Sequence, residues 1–162
     1  MSNPAEQIEP VRVSVSVALS QERTFDFYTQ RVDAWWPRDA HIGKSPMQTA
    51  HLEPRAGGRL YEVGTDGIET DWGRVLVWDR PDRLVFSWHI SHEFRFDPDP
   101  GHASEVEVQF FAEGPKQTRV ELIHRDFERH GIGGKTIREA NSHGWPKMLG
   151  SFVATIERIN PA

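Results

Sequence analysis

Three polar side chains occupy positions where the surrounding pattern asks for apolar ones. In WGRVLVWDRPDRLVFSW, residues 72–88, the even positions on either side of the Arg80–Asp82 turn carry Trp72, Leu76, Trp78, Leu84, Phe86 and Trp88, with Arg74 among them. In the absence of a bulge this row is the inner face of a strand pair, where a lone guanidinium is too costly to leave unpaired. GGRLYEVG, residues 57–64, places Glu62 on the side of Leu60, and a hairpin turn at residues 64–67 would bring it beside Arg74. TRVELIHR, residues 118–125, adds His124 on the face of Val120 and Leu122. Glu62, Arg74 and His124 could anchor a ligand, and a carboxylate or imidazole in an apolar pocket can act as general acid or base. Two structural readings remain open beside this: a Glu62–Arg74 ion pair, or an Arg74 that reaches the sheet edge along its own stem. A bulge would turn Arg74 to the other face.

Other chemistry-bearing patterns are incomplete. Gly131-Ile132-Gly133-Gly134-Lys135-Thr136 resembles the end of a phosphate-binding loop, but the first glycine of that pattern falls on Arg129, and no alternation of strands and helices surrounds it. It reads instead as a flap. Eight histidines form no His-Glu-x-x-His or other tight ligand array. No Gly-x-Ser-x-Gly elbow is present, and with no cysteine there is no thiolate nucleophile. Asp97-Pro98-Asp99-Pro100-Gly101 is ordinary turn chemistry. Neither a metal nor a cofactor is expected.

The elements that must position these residues follow from periodicity. Residues 1–10 read as a loose arm, and residues 11–162 as a single domain. VRVSVSVA sets Val11, Val13, Val15 and Val17 on one side, a half-buried strand. Ser20 can cap a helix in which Phe25, Tyr28 and Val32 recur at helical spacing, ending before Pro37. Residues 47–125 read as an antiparallel meander punctuated by turns, with Val106, Val108 and Phe110 on one face of a late strand. Met148, Leu149, Phe152, Val153, Ile156 and Ile159 form the stripe of a closing helix, with Pro146 in its first turn. This order is an α+β architecture, a curved antiparallel sheet packed on a long helix.

Bulk properties narrow the partners. A chain of 162 residues can bury roughly 68–70% of its unfolded surface around one core, and a net charge of -5 provides no basic field for nucleic acid or anionic membrane. No apolar run is long enough to span a bilayer and the first residues lack a signal-peptide pattern, so a cytoplasmic location is expected. Exposed sheet edges permit a monomer or a homodimer.

GGRLYEVGTDGIETDWGRVLVWDRPDRLVFSW, PDPGHASEVEVQF, TRVELIHRDFERHG and GWPKML together resemble the bacterial proteins related to the activator of heat-shock protein 90 ATPase, within the START-like, Bet v-type (SRPBCC) superfamily. The resemblance runs from about Val11 to Ile159. It implies the helix-grip fold, with two short helices after the first strand and a cavity between sheet and C-terminal helix. In such a cavity Trp72, Phe86, Trp88, Leu122, Trp145, Met148 and Phe152 would form walls, Glu62, Arg74 and His124 polar anchors, and residues 126–144 a mobile entrance. The expected function is the binding of a largely hydrophobic small molecule in that cavity, with aromatic compounds among the candidates. The alternatives are a stress-response protein acting on a heat-shock protein 90 type chaperone, and an enzyme of cyclase or hydrolase type using His124 or Glu62.

Overall fold

The computed structural model describes residues 7–159; most of the expected N-terminal arm lies outside the described residues. Seven strands form one antiparallel sheet: β1 (Val11–Val17), β2 (Met47–Leu52), β3 (Arg59–Gly64), β4 (Glu69–Asp79), β5 (Arg83–Trp88), β6 (Ser104–Gly114) and β7 (Gln117–Arg125). Their spatial order is β1-β7-β6-β5-β4-β3-β2, so the chain returns along the sheet hairpin by hairpin while β1 closes onto the last strand. Two short helices, α1 (Gln21–Gln30) and α2 (Val32–Trp35), join β1 to β2, and a long helix, α3 (Gly134–Ile159), packs against the sheet. This is the helix-grip arrangement. No described helix is long and apolar enough to cross a membrane.

Local chemistry explains most boundaries. The valines of β1 alternate with exposed Arg12, Ser14 and Ser16, and Ser20 caps α1 by accepting from the Arg23 amide at 3.3 Å. On β6 and β7, Val106, Val108, Phe110, Val120, Leu122 and His124 are all buried on the gripped face.

Two expectations fail, each for a traceable reason. The row containing Arg74 is interrupted by two bulges in β4. Trp72 is the extra residue opposite β3, where Leu60 pairs with Gly73 and Tyr61 with Asp71. Leu76 is the extra residue opposite β5, where Val75 pairs with Phe86 and Val77 with Val85. Each bulge resets the alternation, so Trp72, Val75 and Trp78 enter the core while Arg74 and Leu76 face outward. Arg74 pairs with Asp71 at 2.9 Å, not with Glu62. The second failure is the start of α3, which begins at Gly134 rather than near Pro146. Ile137, Asn141, Trp145 and Met148 are buried at spacings of four and three and extend the apolar stripe backward. Pro146 sits mid-helix on the exposed side, where the Ser142 carbonyl that its missing N–H leaves free can turn to water.

A chain of polar contacts pins α3 to the sheet. The Trp145 indole N–H, a donor only, reaches His124 Nδ1 at 3.0 Å. His124 Nε2 must then carry the hydrogen, and it donates to Ser104 Oγ at 2.7 Å. The Ser104 hydroxyl in turn donates to His130 Nε2 at 2.7 Å, in the 3-10 turn Phe127–Gly133 ahead of α3. Every member needs both imidazoles neutral. Burial pushes His124 well below the ordinary histidine value and His130 down to about 4.

Two predictions follow from these contacts. A Cβ on Gly73 would lie 1.7 Å from the Ser87 carbonyl oxygen, so Gly73→Ala must part β4 from β5. Its stability in urea titration is expected to fall by at least about 2 kcal/mol, and an unchanged midpoint would show that the strands are free to separate. For His130 the folded-state value lies below that of an unfolded histidine, so its contribution is fully present above about 6.5 and lost as the pH falls toward about 4. The loss is expected to be on the order of 2 kcal/mol, measured as the difference in unfolding free energy between pH 7 and pH 4.5. His130→Asn should flatten that dependence.

Candidate ligand cavity

Because α1, α2 and α3 do not fill the whole concave face, a cavity of about 220 Å³ remains between α3, the sheet and the loop following α2. Its walls are apolar: Trp36 from the end of α2, Trp72 from the β4 bulge, Trp88 from the end of β5, and Ile137 and Met148 from α3. Trp36 stacks on Trp72 with centroids 4.7 Å apart and rings 23° from parallel. The Trp36 indole N–H is held by the Ala40 carbonyl at 2.8 Å, which fixes both the ring and the loop that carries His41. Phe94, in the β5–β6 connection, stands at the cavity edge, 60% exposed as a residue and with its backbone in the left-handed region (φ 58°). Such a conformation is uncommon for a bulky residue, and here it presents an aromatic ring to solvent beside an apolar opening. The polar lining is sparse and includes Asp39, His41, His92 and Asn141.

Behind Trp72 lies Glu62, with no exposed surface. Its Oε1 accepts from the Trp72 indole at 2.9 Å and from the Ile42 amide at 2.7 Å, and its Oε2 accepts from the Gly43 amide at 3.2 Å. Three donors, two from the loop and one from the cavity wall, replace the water this carboxylate has lost. His41 borders the cavity, and its Nδ1 lies 3.1 Å from the Gly43 carbonyl and 3.8 Å from Glu62 Oε2.

The residues expected from sequence separate into layers. Trp72, Trp88 and Met148 border the cavity. Phe86, Leu122, Trp145 and Phe152 are buried one layer behind it, where Trp145 packs edge-on against Trp36 and Trp88 at 6.0 and 5.3 Å. His124 is fully enclosed, with both ring nitrogens occupied by Trp145 and Ser104. Glu62 reaches the cavity only through the groups it holds. Arg74 lies across the sheet, lining a separate outer cleft of about 450 Å³ with Phe96 and Arg129. There Ser87 and His89 bond each other at 2.8 Å, and His89 Nδ1 donates to the Asp97 carbonyl at 2.8 Å, which satisfies both buried side chains. Of residues 126–144, Thr136, Ile137, Ala140, Asn141 and Gly144 do border the cavity, but as the first half of α3 rather than as a loop.

Sequence reasoning missed Trp36, His41, Phe94 and Asn141. The adjacent Trp35-Trp36 pair signalled burial but not a cavity wall, since both rings are buried in the same core. His41 carried no signal, because loop residues have no periodicity to place them. Among the described residues no group of three histidine or acidic side chains is placed to hold a metal ion.

Comparison with known proteins gives a consistent picture. Solved structures that superpose on nearly the whole chain include an anthrahydroquino-gamma-pyrone synthase, Txn09, with 41% identity and a TM-score of 0.68 over 93% of this chain and 98% of that one. A self-sacrificing resistance protein, CalC from Micromonospora echinospora, matches at 33% identity and TM-score 0.69, over 94% of this chain and 96% of its own. A Mesorhizobium loti protein at 18% identity, TM-score 0.66 and 93% and 98% coverage shares the fold alone. No curated protein sequence matches the chain. The family model described as Activator of Hsp90 ATPase homolog 1-like protein matches residues 18–157, which span α1 through α3 and every wall of the cavity, and the chain belongs to that family.

Proposed function

We propose that the chain holds a planar aromatic small molecule in the cavity between sheet and α3. The observation that carries this reading is the tryptophan wall: Trp36, Trp72 and Trp88 line one space with only a few polar groups among them. Flat aromatic faces favour stacked or edge-on partners of the same kind. A cavity of about 220 Å³ lies below the roughly 300–1,000 Å³ typical of drug-sized ligands. It therefore suits a fused-ring core whose substituents extend past Phe94 toward solvent.

A solved relative at 41% identity supports the same direction, because its name describes a fused aromatic product. At 41% identity over almost the full length, the synthase also favours a second reading, in which the bound molecule is converted as well as held.

Occupation of the cavity is tested by filling it. Ala140 is an exposed position on α3 that borders the opening, so Ala140→Trp should keep the fold while obstructing the space. In equilibrium dialysis against 2-hydroxyanthraquinone, the parent is expected to take up one equivalent. The variant should bind at least about tenfold more weakly, a change of about 1.4 kcal/mol, with an unchanged melting temperature. Equal affinity would place the ligand elsewhere on the molecule.

A further inference from the structure

Resting on the cavity as an aromatic-ligand site, we propose that His41, backed by Glu62, removes a proton from the molecule held there. The cavity would then perform proton-transfer chemistry, and its ligands would be aromatic compounds carrying an ionisable phenol or an enolisable C–H next to a carbonyl.

The assignment begins with the tautomer. A carbonyl oxygen only accepts hydrogen bonds, so the 3.1 Å contact between His41 Nδ1 and the Gly43 carbonyl puts the ring hydrogen on Nδ1. In the neutral ring the lone pair is then on Nε2. Among the described residues nothing hydrogen-bonds that nitrogen, while the ring borders the cavity. Nε2 is thus the His41 nitrogen offered to a bound molecule; the other imidazole of the lining, His92, has no buried carboxylate behind it, only Glu93 at 4.0 Å. By contrast, both nitrogens of His124 are used inside the core.

Glu62 supplies the second part. Its Oε2 lies 3.8 Å from His41 Nδ1, on the edge of the ring opposite the incoming proton. The carboxylate has no exposed surface and is fixed by Trp72, Ile42 and Gly43, so it cannot swing into the cavity to react itself. It places a negative charge 3.8 Å from the nitrogen edge where an imidazolium would form, while the Gly43 carbonyl, not the carboxylate, takes the Nδ1 hydrogen and orients the ring. The other charged groups near the ring are Asp39, on the same loop and ion-paired with Lys147 of α3, and His92 of the β5–β6 connection, which borders the cavity beside Glu93. Asp39 adds to the negative field at His41 and is itself held below the ordinary carboxylate range, chiefly by Lys147.

The step balances without a co-reactant. The ligand O–H or C–H bond breaks, its electron pair stays on the ligand as phenolate or enolate, and the proton passes to His41 Nε2. The imidazolium charge lies against Glu62, the anion faces the imidazolium, and the same proton is returned to the rearranged product. The indole walls keep water from competing for it.

The test uses 2-hydroxyanthraquinone, whose visible band shifts to the red when its phenol ionises. At a pH where the free dye is mainly the neutral phenol, dye bound to the parent is expected to show roughly tenfold more phenolate, equivalent to one pKa unit for the dye. Dye taken up by His41→Gln should show the neutral spectrum. Glu62→Gln keeps an acceptor oxygen for Trp72 and the Ile42 amide, loses the one for the Gly43 amide together with the charge, and should reduce the phenolate several-fold. In the parent the phenolate band should vanish on acidification along a limb that His41→Gln lacks. A neutral spectrum in the saturated parent, or an undiminished phenolate band in His41→Gln, overturns the proton-transfer role and leaves aromatic binding intact. Failure of the parent to take up the dye, seen in dialysis, overturns the binding reading and this proposal with it.

Discussion

The cavity depends on how one buried carboxylate is satisfied. Glu62 sits on the gripped face of β3 with no access to water, and an isolated charge there would cost far more than the fold's net stability. Its three hydrogen bonds come from groups remote in sequence: the indole of Trp72, which the β4 bulge turns inward, and the amides of Ile42 and Gly43, which the loop after α2 must bring within reach. Satisfying the charge therefore fixes a wall and a rim of the cavity at once. It also orients His41, because the Gly43 carbonyl that receives its Nδ1 belongs to the same turn.

A second polar centre, around His124, follows the opposite logic. Glu62 gathers three donors around one carboxylate, whereas His124 is kept neutral by burial and arranges donors and acceptors in one direction from Trp145 to His130. The first centre communicates with the cavity through Trp72 and His41. The second is sealed behind Trp88 and Trp145 and holds the long helix to the sheet. The two histidines thus differ in their free valence: both ring nitrogens of His124 are occupied, whereas Nε2 of His41 is not.

The fold is shared by proteins with as little as 14% identity to this chain, as expected when a curved sheet and one long helix can be filled by many apolar combinations. What sets this chain's cavity is the lining of the space the helix leaves. Here that lining is three tryptophans, a methionine and a short rim of polar groups drawn from the loop after α2, the β5–β6 connection and the first half of α3.

The sequence by itself determined the architecture: the valine alternation of β1, the Ser20 cap, the inward faces of β6 and β7 and the apolar stripe of α3 are all local patterns with a period. It also marked Glu62 and His124 as polar residues on an inner face, since one parity count within an unbulged strand suffices for that. Parity failed at Arg74 because a bulge inserts a residue without leaving a composition signal, and only pairing with β3 and β5 reveals the two in β4. The early start of α3 was masked by Gly144 and Pro146, whose poor helix propensity is overridden once Ile137, Asn141 and Trp145 pack. His41 and Trp36 became part of the site only through tertiary structure. Their loop has no repeating pattern, and its path is set by hydrogen bonds to a carboxylate about twenty residues later in the chain, an interaction between distant segments that no local periodicity encodes.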